Sequence, residues 1–114
     1  MEKNNTVYLR HIIDAIEKIE KYLSGVSEES FVSNSLVQDG VIRQLGIIGE
    51  ATRHLSNEIR QMDDTVPWQD ISDMRNKLIH DYFGVDIDTV WITAKEDIPV
   101  FKKQIEAIIK NLSE

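Results

Sequence analysis

The chain has 114 residues, with 13 lysines and arginines against 20 aspartates and glutamates, a formal net charge of −7, and no cysteine. That length makes one domain over 1–114, large enough for a modest core and too small for a catalytic domain plus a separate recognition domain. The missing thiols exclude a disulfide scaffold, a thiolate metal site and a cysteine nucleophile. The acidity argues against broad adhesion to nucleic acid or anionic lipid, so any action on RNA or DNA needs a local cationic cleft. No apolar run approaches the roughly 20 residues that cross a bilayer. Met1 to Arg10 is too polar for a signal peptide, so the expectation is a soluble, cytoplasmic protein without a membrane contact.

Leu9, Ile12, Ile16, Ile19 and Leu23 recur at steps of three and four, a single stripe along a first helix. Asn5 or Thr6 can cap its start by accepting a bond from a free amide, and Gly25 tolerates the left-handed turn that ends it. Ser27-Glu28-Glu29 reads as a cap and acidic first turn of a short helical segment. A second stripe, Val41, Leu45, Ile48, Thr52, Leu55 and Ile59, predicts a long helix from about Asn34 to Met62. Gly40, Gly46 and Gly49 interrupt it. Each costs on the order of 1 kcal/mol relative to alanine, which suggests close approach of another helix, in this chain or in a second copy.

Asp63, Asp64 and Pro67 mark a break, and Trp68, Ile71, Met74, Leu78 and Tyr82 define a third helix closed by Gly84. Asp86 can cap a fourth. There Trp91, Ala94, Ile98, Phe101, Ile105, Ile108 and Leu112 keep one stripe across Pro99, which reads as one kinked helix. No period-two strand, internal repeat or low-complexity linker interrupts this pattern. The expected fold is all-α, an up-and-down bundle of four to five helices.

The third helix carries "RNKLIHDYFGVD", Arg75 to Asp86, which holds more polar chemistry than packing requires. On a helix Asn76 and His80 share a face, as do Arg75 and Tyr82, whereas Arg75 and His80 stand about 140° and ~7.5 Å apart. They converge only if the last turn unwinds or if a two-fold dimer juxtaposes the same edge of two copies. A histidine that titrates near neutrality, an arginine that forks onto phosphate and an amide to orient either suit RNA cleavage without metal, because RNA supplies its own 2′-hydroxyl nucleophile. On spacing alone the structural reading leads: cations near a helix C-terminus interact favourably with its dipole, and Lys77 with Asp81 forms an ordinary charge pair.

The ordered series Arg75, Asn76, His80, Tyr82 resembles the HepT-like branch of the HEPN superfamily, whose signature is arginine, four residues, histidine, one residue, tyrosine. The resemblance extends through "YLRHIIDAIEKIEKYLSG", "LVQDGVIRQLGIIGEAT" and "VPWQDISDMRNKLIHDYFGVDIDTVW". It implies a HEPN-like helical homodimer whose motif-bearing helices line a shared cleft, acting as a ribonuclease toxin without metal or other cofactor on an RNA substrate, tRNA being one option. It further implies a partner antitoxin, a minimal nucleotidyltransferase of the MntA type, that adenylylates the motif tyrosine. By position, Arg75 and His80 inherit catalysis, Asn76 a supporting role and Tyr82 the modification.

Glu50 and His54, four apart on the second helix, make half a metal site for which the sequence places no third ligand. His11 sits beside the first stripe, and Trp68 and Trp91 fall on apolar stripes where packing is the expected role. Arg43 and Arg53 are either surface charges or extensions of the cleft. Two other functions compete with the nuclease: a catalytically inactive HEPN module that positions substrate or partner for a nucleotidyltransferase, and a plain dimeric interaction domain.

Overall fold

In the computed structural model, residues 3–80 and 86–113 are described, without the side chains at positions 3, 4, 75 and 78–80. The elements are α1 (Lys3–Leu23), α2 (Glu28–Val32), α3 (Ser35–Arg53), α4 (Asn57–Arg60), α5 (Trp68–His80), α6 (Ile87–Ile92) and α7 (Ile98–Ser113). A π-helical turn over Thr93–Asp97 makes α6 and α7 one continuous rod. The four long rods match the expected all-α bundle, and no strand occurs among the described residues.

The stripes read from the sequence are the core. Leu9, Ile12, Ile16 and Ile19 of α1 meet Val41, Leu45 and Ile48 of α3, with Phe101, Ile105 and Ile108 of α7 closing the layer. Burying each such side chain contributes about 1.5–3 kcal/mol. Helix α3 is the centre, packed on α1 along one side and on α5 along another. Ser27 caps α2 by accepting from Ser30 N, Asp86 caps α6 by accepting from Asp88 N, and Gly25 has φ +74°, all as the sequence suggests.

Three local expectations need correction or refinement. The helix expected to reach Met62 ends at Arg53. His54 caps it, the Arg60 guanidinium donates to the Thr52 carbonyl at 3.2 Å, and Ser56 opens α4 by accepting from Ile59 N at 3.4 Å. The apolar period continues through the break because Leu55 and Ile59 still face the core, so the pattern hides the corner. Asn5 is no cap. It lies inside α1, 1% exposed, and reaches across the fold: its Oδ1 accepts from Ser56 N and its Nδ2 donates to Ser56 Oγ, both at 3.0 Å. At Pro99 the rod stays continuous because the π turn lets Ile98 N–H bond to Thr93 O, widening the turn just where the proline ring would strike the preceding carbonyl. The helix closure expected at Gly84 lies outside the described residues.

Candidate active site

Helix α5 is held at its start. Trp68, 8% exposed, donates its indole N–H to the Arg60 and Asp63 carbonyls at 3.0 and 2.9 Å, and its ring meets Phe101 edge-on at 6.1 Å. Pro67 precedes it, where a missing N–H costs nothing, and its carbonyl accepts the Ile71 amide at 3.1 Å. With Ser72 buried on the same helix, α5 is fixed in register on α3.

On this rod the backbone positions of Arg75, Asn76 and His80 are set by regular helix, and Asn76 is exposed. The Arg75 and His80 side chains, and Tyr82 altogether, lie outside the described residues. The helix continues through His80. Unwinding before that point therefore does not draw position 80 toward position 75, and on a regular helix their Cα atoms stand about 9 Å and about 140° apart.

The remaining candidates separate. Glu50 is half-buried with Oε1 lacking any partner, while the His54 ring stacks on Tyr8 with centroids 4.8 Å apart. His11 meets the same tyrosine edge-on at 5.9 Å. Among the described residues no group of three or more histidines, aspartates or glutamates is close enough to hold a metal ion. Arg43 and Arg53 are exposed. Trp91 packs on Phe31 at 5.2 Å with the Lys95 ammonium 5.4 Å above its ring, so both tryptophans serve packing. No helix among the described residues is long and apolar enough to cross a membrane.

One feature escapes sequence reasoning. Between α5 and the α6–α7 rod runs a trough of about 730 Å³, floored by Ile71, Met74, Ile98 and Phe101. Its walls come from Leu45 and from the stretches 65–77 and 86–104, and no one-dimensional periodicity marks them as neighbours.

Comparison with known proteins adds what the geometry leaves open. The chain matches the family described as ribonuclease HepT-like over residues 12–108. It is 41% identical over 110 residues to the probable ribonuclease HepT of Thermococcus cleftensis, covering 96% of this chain and all of that protein. It is also 41% identical over 112 residues to the "Gamma-glutamylcyclotransferase and putative RNase" of Methanocaldococcus jannaschii. There the match covers 98% of this chain but spans only half the length of that relative. A third relative, a "Putative RNase" of Caldanaerobacter subterraneus subsp. tengcongensis, is 40% identical over 103 residues, covering 90% of this chain and 92% of its own. No solved structure matches the chain. With the family match spanning most of its length and the helical architecture agreeing, the chain belongs to the ribonuclease HepT-like family.

Proposed function

We propose that this protein is a metal-independent endoribonuclease, the toxin of a toxin–antitoxin pair, acting in the cytoplasm through Arg75 and His80 at the cleft of a homodimer. The observation that carries this reading is the family match over 12–108, which includes the whole Arg75–Tyr82 stretch. The continuous helix between positions 75 and 80 supports a composite site, since positions about 140° apart serve one phosphate more readily when they come from two copies.

In this mechanism the RNA 2′-oxygen attacks the adjacent phosphorus while the P–O5′ bond breaks, giving a 2′,3′-cyclic phosphate and a free 5′-hydroxyl. The His80 imidazole moves the proton, either from the 2′-hydroxyl or to the departing 5′-oxygen. The Arg75 guanidinium neutralises charge on the crowded phosphorane, and Asn76 orients one of the two. Silencing comes from a minimal nucleotidyltransferase antitoxin of the MntA type: the Tyr82 phenol displaces pyrophosphate from ATP, and the resulting adenylate adds about one negative charge that competes with RNA phosphate for Arg75.

The test is cleavage of total RNA by purified protein. Arg75→Ala and His80→Ala each abolish cutting with an unchanged far-ultraviolet circular dichroism spectrum, EDTA has no effect, and products end in a 2′,3′-cyclic phosphate. The partner with ATP and magnesium adds adenylate mass to the Tyr82 peptide and stops cutting, and Tyr82→Phe cuts but escapes. Activity lost to EDTA and restored by a divalent ion overturns the mechanism. Silencing of Tyr82→Phe overturns the switch.

A further inference from the structure

The trough between α5 and the α6–α7 rod has a chemistry unlike that of an RNA site. Its floor is apolar, and Val100, 58% exposed, extends that surface at its edge. Among the described residues its lips carry Asp70, Asp86 and Asp97 against one lysine, Lys77. The Asp86 carboxylate is engaged at home, accepting from Asp88 N and Thr89 Oγ1, each at 3.0 Å. Asp70 and Asp97 are exposed and make no hydrogen bond or ion pair to the described residues. Two free carboxylates thus flank an apolar floor of ligand-site dimensions.

Round the helix from Met74, position 76 lies about 200° away on the opposite face, while position 75 stands about 40° from Ile71 and position 80 about 60° from Lys77, so the trough adjoins the motif positions. Phosphate-bearing ligands are repelled by the acidic lips. A second copy seating this same face is disfavoured too, because it brings the same acidic lips.

We infer that this trough is the docking site for a basic amphipathic segment of a partner protein: apolar side chains at helical spacing seat against Met74 and Phe101, and flanking lysines or arginines pair with Asp70 and Asp97. Neither aspartate belongs to the proposed catalytic set.

The probe is a fluorescein-labelled 16-residue peptide of leucine and lysine in amphipathic helical spacing, with a control in which glutamate replaces lysine. Binding to the full-length protein is read by anisotropy, and the location by peroxide oxidation of Met74 against Met62, which lies outside the trough. The basic peptide binds and slows oxidation of Met74 but not of Met62, while the acidic one does neither. Asp70→Lys with Asp97→Lys weakens binding by about tenfold or more, and Asp97→Lys alone, which leaves the first turn of α5 untouched, weakens it less. Both variants keep wild-type circular dichroism. Equal binding of the two peptides, or binding indifferent to both variants, overturns the assignment. So does protection of Met74 by an RNA oligonucleotide, or by rising protein concentration without peptide, which identifies a second copy as the occupant.

Discussion

If Arg75 and His80 serve one phosphate from opposite protomers, two dead variants restore activity when mixed. On α5 the two positions are separated by about 7.5 Å along the axis and about 140° around it, a Cα separation near 9 Å that regular helix fixes. Take Arg75→Ala and His80→Ala, each inactive alone, and let subunits exchange. Random pairing makes about half of the dimers mixed, and in a mixed dimer one composite site has lost both groups while the other keeps both. One intact site in half of the dimers gives about a quarter of wild-type turnover. A site built within one chain gives none, because every mixed dimer then carries one site without arginine and one without histidine. The assay is cleavage of a fluorogenic RNA after co-refolding the variants at equal concentration, with each variant alone as background. Activity no higher than the sum of those backgrounds, in a sample shown by mass spectrometry to contain mixed dimers, refutes the composite site.

The Asn5 clamp across the α3–α4 corner makes Asn5→Ala expensive: two hydrogen bonds go and the Ser56 amide loses its partner, a loss of about 2–3 kcal/mol in urea unfolding, against about 0.5 kcal/mol or less for exposed Thr6→Ala. Equal effects of the two substitutions would return Asn5 to an ordinary helix-start role. Gly46→Ala meets no atom within 4 Å, so it raises the unfolding free energy by about 0.4–1 kcal/mol, whereas Gly40→Ala presses on the Tyr22 ring at 3.3 Å and gains less. If Gly46→Ala instead halves the mass seen in light scattering, that glycine belongs to an interface between copies. The Lys102 ammonium lies 3.0 Å from Glu20, and this hydrogen bond, ahead of the cost of burial, raises its pKa above the ordinary 10.5. The contribution of the pair, within the ~0.2–1 kcal/mol of exposed ion pairs, is complete below that ordinary value and disappears as pH climbs through the raised one. The melting-temperature gap between wild type and Glu20→Gln therefore narrows from pH 8 to pH 12, and a gap that stays constant contradicts the assignment.

Periodicity and caps carried most of the fold. A helix must bury one stripe, so the three-and-four spacing of α1, α3 and α7 names their inward residues. Ser27, Asp86 and Gly25 acted as written because caps and left-handed turns depend on neighbours a few residues away. The spacing of Arg75, Asn76 and His80 was legible as a linear family signature, and the family match spans that stretch.

Tertiary structure alone decided what depends on distant partners. Whether α3 ran on to Met62 turned on Arg60 capping its last carbonyls and on Asn5 holding Ser56 from 51 residues away, neither of which alters the apolar period. Asn5 looked like a cap because its neighbours in the chain permit one, and became a clamp because a buried amide takes the partners the fold brings to it. The trough has the same origin: Asp70 and Asp97 lie 27 residues apart in sequence, and only the packing of α5 on α3, with the α6–α7 rod standing off, makes them the lips of a single surface.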